Sequence, residues 1–282
     1  MSFRIVADSS CNILSMEDPN YTTVPLKIVA EKEYVDDINL DVAGMIEDLK
    51  VYKGKSGSSC PNVQEWLDAY EGADNIIALT ISKELSGSYS AAKNAAEEYM
   101  SENPGKQVWV LDSVSAGPEM AMLIEKMAQL INQGLSMDEV RQQVTEYHKN
   151  LHTLFCLESL TNLARNGRVS PAVATIAGVL GIRVVGDVTW GQITDQAKPR
   201  GQRKATEALV KMMTERGLAD GNTVRIAHCL GEANAQLLKD KVLEQYPNCK
   251  VVIEPTTALC SFYAEAGGLM IGIEGGVHPA KY

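Results

Sequence analysis

Asn75-Ile76-Ile77-Ala78-Leu79-Thr80-Ile81-Ser82-Lys83-Glu84-Leu85-Ser86-Gly87-Ser88-Tyr89 is the stretch on which the fold turns. Its first seven residues form a short aliphatic and β-branched run, the pattern of a buried strand. A loop of small hydroxyl residues follows, and helical spacing takes over across 89–100. Strand, polar loop and helix in that order make the first part of a βαβ unit. The same alternation extends in both directions. Residues 3–7, 22–30 and 108–111 read as further strands. Helical patterns cover 63–71, behind Pro61, and 119–133, ending at Gly134. A third covers 137–151, where Ser136 and Glu139 form a capping box. Such alternation predicts a parallel sheet covered by helices, an α/β/α domain over residues 1–153.

From residue 154 the pattern changes. Residues 154–158 read as a short strand and 160–165 as a helix, broken by Asn166-Gly167-Arg168. A helix is expected over 171–180. Residues 183–188 and 191–195 form a hairpin about Trp190-Gly191. A helix over 206–216 follows, then strands at 224–229 and 250–253 around a helix at 233–245. A last strand is expected at 269–273. This half reads as an α+β domain, 154–282, packed directly on the first.

The chain has 282 residues, enough for two domains. Hydrophobic residues make up 45% and charged residues 22%, ordinary for a globular protein. A net charge of −10 disfavours nucleic acid and anionic membrane surfaces as partners. There is neither an apolar leader pattern at the N-terminus nor an apolar run long enough to cross a bilayer. A cytoplasmic location without stable membrane insertion is the expectation. Six scattered cysteines without a C-x-x-C pair suit free thiols, and neither they nor the four histidines fall at metal-ligand spacing.

Three hydroxyl-rich loops carry the candidate chemistry. Asp8-Ser9-Ser10 follows the first strand, at the end of a parallel sheet where ligands bind; helix capping is the alternative use of these residues. Lys55-Ser56-Gly57-Ser58-Ser59-Cys60-Pro61 precedes a helix and could offer hydroxyls and amides to an anion, or be a surface loop. Gly54-Lys55-Ser56 is not a P-loop, since position 49 is Leu rather than Gly. The third loop, 80–89, offers Ser86, Ser88 and the close backbone approach that Gly87 allows, beside the positive end of a helix. No G-x-S-x-G elbow is present, and none of His148, His152, His228 and His278 is paired in sequence with a serine. Residues 197–204, Ala-Lys-Pro-Arg-Gly-Gln-Arg-Lys, are the densest positive charge, a solvated helix start or a docking patch for an acidic partner.

Taken in order, these loops resemble the DegV family of fatty-acid-binding proteins. Asp8-Ser9-Ser10 is similar to that family's opening Asp-Ser-Ser. Ser58-Ser59-Cys60-Pro61 resembles its Thr-Ser-x-Pro, with Ser58 at the Thr position. Leu85-Ser86-Gly87-Ser88-Tyr89 is similar to its Leu-Ser-Gly-Thr-Tyr, Asp112-Ser113 to a further Asp-Ser, and Asn166-Gly167-Arg168-Val169-Ser170 to its Gly-Gly-Arg-Ile-Ser. Arg200 to Lys204 resembles its basic segment. The resemblance implies an N-terminal parallel-sheet domain and a C-terminal α+β domain with a ligand tunnel between them. It also implies a bound long-chain fatty acid, with no other cofactor. The carboxylate would lie on Ser58, Ser86 and the Gly87 amide, with Ser59 and Tyr263 beside them and Ser9, Ser88 and Arg168 in support. The chain would be a carrier rather than an enzyme, presenting its acyl group to an ATP-dependent fatty acid kinase. The family's C-terminal His-x-Gly-Pro-Gly stretch is replaced by Ser261-Phe262-Tyr263-Ala264-Glu265-Ala266-Gly267-Gly268-Leu269. Tyr263 would then donate where the histidine stands, and Glu265 must turn away from a carboxylate. Aliphatic residues at 172–180 and 269–273 are the candidate tunnel walls. Two other readings use the same loops: a serine-dependent acyl-ester hydrolase and a binding module for a small phosphate ligand.

Overall fold

A computed structural model of the chain describes residues 2–17, 20–172, 181–279 and 281. The first half contributes β1 (Phe3–Asp8), β2 (Tyr21–Val24), β3 (Lys27–Val29), β4 (Glu33–Val35), β5 (Gly57–Ser59), β6 (Asn75–Thr80) and β7 (Gln107–Asp112). Its helices are α1 (Val42–Val51), α2 (Val63–Tyr70), α3 (Ser88–Glu102), α4 (Pro118–Asn132) and α5 (Met137–His148). A parallel sheet runs in the order β2-β1-β6-β7, with Ile5 opposite both Tyr21 and Ile77. Alternate residues take opposite faces. Ile5, Ala7, Ile77 and Leu79 pack on α4 and α5, while Val6, Ile76 and Ala78 pack on α2 and α3. Burial on both faces explains why 75–80 is apolar without alternation.

The second half is built on a six-stranded sheet of β8 (Leu151–Leu157), β9 (Val184–Thr189), β10 (Gln192–Ala197), β11 (Thr223–His228), β12 (Lys250–Pro255) and β13 (Leu269–Glu274). The order is β10-β9-β8-β13-β11-β12, and only β11 and β12 are parallel. One face is covered by α7 (Gln202–Glu215) and α8 (Glu232–Gln245). The other meets α6 (Thr161–Arg165), α9 (Ala258–Ala264) and the first half. The parallel α/β/α layer plus α+β layer expected from the sequence is the observed architecture.

Helix α4 joins the two layers. It contacts β1 on one side and β8, β11 and β13 on the other. Residues Met120, Ala121, Met122, Leu123 and Ile124 are all buried, as a helix sandwiched between two sheets requires. The capping boxes at Asn62/Glu65 and Ser136/Glu139 form as their residue types dictate.

Two local readings are corrected. Residues 22–30 are two strands in different sheets, because Pro25 offers no amide to continue a ladder. The chain turns there, and β3 pairs antiparallel with β4 and β5. Residues 57–59, expected as loop, are therefore a strand. The helix over 171–180, and the tunnel wall assigned to it, lie outside the described residues from 173 onward.

Candidate functional site

The carboxyl ends of β1, β6 and β7 point their loops at the face of the six-stranded sheet opposite α7 and α8. Between them lies a cavity whose empty space, its open mouth included, amounts to about 750 Å³. Its walls are mostly aliphatic. Leu26, Ile81, Leu85 and Ala116 come from the first half, and Leu163, Leu259 and Ala264 from helices. On β8, Thr153, Phe155 and Leu157 project from one face at period two. Met270 of β13 stands opposite Phe155, and Val188 and Ile193 face each other across the β9–β10 hairpin.

The polar lining is concentrated in Ser58, Ser86, Tyr263 and Arg168. Strand β5 sends Ser58 inward, where its Oγ and the Tyr263 hydroxyl share a 2.7 Å hydrogen bond. Two O–H groups share one bond, so one proton remains to be donated. Ser86 Oγ accepts from the Ser88 amide at 3.3 Å, which leaves the Ser86 proton for another acceptor. The Gly87 amide, directly before α3, has no acceptor among the described residues. Arg168 donates from Nε to the Leu85 carbonyl at 3.2 Å and from Nη1 to that of Asn166 at 2.6 Å. Its guanidinium lies 5.6 Å from the Tyr263 ring centroid. These contacts tie the loop before α3 to the segment after α6 and to α9.

Four of the sequence-nominated residues are not among those lining the cavity: Gly87, which is exposed at the start of α3, and three serines. Ser59 alternates away from Ser58 along β5 and is exposed. Ser9 is buried and accepts the Leu26 amide at 2.9 Å. Ser88 is buried and donates to Asp8 at 2.6 Å. The Asp8 carboxylate also accepts from Ser10 and from the Ile81 amide, so it binds the loops after β1 and β6 to the start of α3. Burial raises the Asp8 pKa, and the hydroxyl and amide donors work against that rise. Glu265 is turned away, accepting from Ser159 and from the Asn162 amide at 2.9 and 3.1 Å.

Two structural carboxylates gave no sequence signal. Asp36 accepts the Ala258 and Leu259 amides at 2.7 and 3.0 Å and so fixes the start of α9. Burial pushes it up to about 6 against those donors and the hydroxyls of Ser9 and Thr257. Glu119, on α4, lies behind the wall residue Thr153. It pairs with Lys281, accepts from Thr153 Oγ1 at 2.8 Å and stands 3.4 Å from His148 Nε2. Burial disfavours its charge, but Lys281 and His148 outweigh that and hold the carboxyl well below its usual range. Only contact across 162 positions reveals this pair, which is why neither residue stood out in the sequence.

The family model described as "Uncharacterised protein, DegV family" matches residues 2–274. A DegV domain-containing protein of Streptococcus pneumoniae is 39% identical over 97% of this chain and 99% of its own. Among solved structures, the fatty acid kinase (Fak) B3 protein of the same species, loaded with linoleic acid, superposes with a TM-score of 0.95. It is 38% identical, over 98% of this chain and all of the other. A DegV family protein from Eubacterium eligens loaded with heptadecanoic acid gives 0.94 at 35% identity, over 98% and 100%. The chain belongs to the DegV family. Among its described residues no helix is long and apolar enough to cross a membrane.

Proposed function

From this membership and this site we propose that the chain binds a long-chain fatty acid, with its carboxylate at Ser58, Ser86 and Tyr263 and its tail along the aliphatic walls. The observation that carries the reading is the pairing of two chemistries in one cavity: apolar over most of its lining, with the donors Ser58, Ser86, Tyr263 and Arg168 as its main polar groups. Burying each methylene is worth about 0.8 kcal/mol, so a long tail supplies ample affinity. A buried carboxylate is costly unless donors meet it. The free protons of the Ser58–Tyr263 pair and of Ser86 and the nearby Arg168 charge answer that need. Two relatives more than a third identical in sequence were crystallised with acids of this class, which supports the reading.

The hydrolase reading is less favoured. Ser58 and Ser86 are partnered by a tyrosine hydroxyl and a backbone amide, and no His, Asp or Glu lines the cavity among the described residues. The role follows as a carrier that presents the acid to an ATP-dependent fatty acid kinase. The name of the pneumococcal relative supports that partner, and the basic segment Arg200 to Lys204 offers charge for docking. Titration with oleate or palmitate tests the binding. Ser86→Ala should weaken it by about 1.5–3 kcal/mol, roughly tenfold or more, as for a hydrogen bond to a charged group. Equal affinity in that variant would remove Ser86 from the head-group site.

A further inference from the structure

We propose that Phe155 is a specificity-determining residue, the removable wall that limits how long an acyl chain the protein accepts; this rests on the fatty-acid reading above. Next to the binding cavity, with Phe155 and Ile193 common to both linings, is a second one whose empty space, its mouth included, is about 440 Å³. Leu160, Val169 and Val184 line it, together with the polar Ser170 and Asp195. Among the described residues only Phe155 and Ile193 line both spaces. They stand as the partition, and the aromatic ring is the larger part of it.

The sheet holds the ring there. Phe155 is 5% exposed and pairs on one side with Gly186 of β9 and on the other with Met270 of β13. A Cβ at position 186 would lie 2.5 Å from the ring's Cζ, so the ring occupies space that only a glycine leaves. On the opposite side Met270 is an unbranched thioether that can repack around a bound chain. A rigid ring and an adaptable methionine thus form one stretch of wall. Length discrimination falls to the ring, because the methionine yields.

Removing the ring joins the two spaces. A tail too long for the first cavity can then continue past Leu160 and Val184. Chains that already fit gain nothing from the added room and lose contact with the ring.

The test is a binding series of saturated acids from 12 to 22 carbons against the full chain and its Phe155→Ala and Phe155→Leu variants. In Phe155→Ala the longest acids should gain at least about tenfold relative to the best-bound acid of the unmodified protein, the effect of two further buried methylenes. Phe155→Leu, a smaller change in wall volume, should move the preference in the same direction and keeps the test decisive if the alanine variant does not fold. An unchanged length profile, or uniform weakening at every length, overturns the proposal while leaving fatty-acid binding intact. Failure of the unmodified protein to bind any acid of the series removes the fatty-acid reading itself, and this proposal with it.

Discussion

The cavity meets polar groups in two places that handle burial in opposite ways. Around Ser58, Tyr263 and Ser86 the groups are uncharged hydroxyls, with Arg168 beside them, and among the described residues protons of these hydroxyls are left without an acceptor. Behind Thr153 the groups are charged and mutually satisfied. Glu119 takes Lys281 and Thr153, Lys281 also donates to the Leu151 carbonyl at 2.8 Å, and Ser115 shares a 2.6 Å hydrogen bond with Thr153. A satisfied charge network fixes structure, whereas donors with protons to spare can answer an incoming anion. The difference separates a site from a scaffold where polarity and burial alone would not.

Breaking the scaffold side should produce the largest effect. Lys281→Met leaves Glu119 charged and buried, and loss of one partner from such a pair costs about 3–5 kcal/mol. Urea unfolding should show that loss. Ser58→Ala and Ser86→Ala should instead leave the midpoint nearly unchanged while weakening ligand. A stability loss as large from Ser86→Ala would erase the distinction.

Acidity sharpens the contrast next. Glu119 is depressed, so it stabilises the fold above the ordinary glutamate range, and that contribution is lost as pH falls below about 4.5. Asp36 is raised to about 6. The folded state then holds its proton more tightly than the unfolded chain, and its contribution to stability declines as pH rises from about 4 to 6. Unfolding free energies across pH 3–8 should show the acid limb shrink in Glu119→Gln and the decline between 4 and 6 flatten in Asp36→Asn.

The smallest effect is expected at Ser59, next in sequence to Ser58 but on the outer side of β5. Ser59→Ala should change fatty-acid affinity by no more than about 0.5 kcal/mol, by the same titration that shows the loss in Ser58→Ala.

Much of this was legible before any coordinates. Unbroken apolar runs such as 75–80 mark a strand buried on both faces, and the capping box at Ser136 marks a helix start. The hydroxyl loops carried motifs that nominated Ser58 and Ser86, the missing family histidine pointed to Tyr263, and all three line one cavity. Which serine of each loop turns inward was not legible. Strand alternation decides between Ser58 and Ser59, and residues 57–59 show no strand pattern of their own because they join a sheet through β3. Ser9 and Ser88 were expected in support of that site. Their hydroxyls are committed instead to the Leu26 amide and to Asp8, partners far away in sequence. The Glu119–Lys281 pair and Asp36 depend on tertiary contact alone.

A dry cavity able to take a hydrocarbon tail, capped by neutral donors for its acid, is most directly tested by denaturing the purified protein and identifying what it releases by mass spectrometry. A stoichiometric long-chain fatty acid, much reduced in a Ser58→Ala/Ser86→Ala double variant that folds normally, is the expected result. Release of no lipid, from a protein that also fails to bind added oleate, would contradict it.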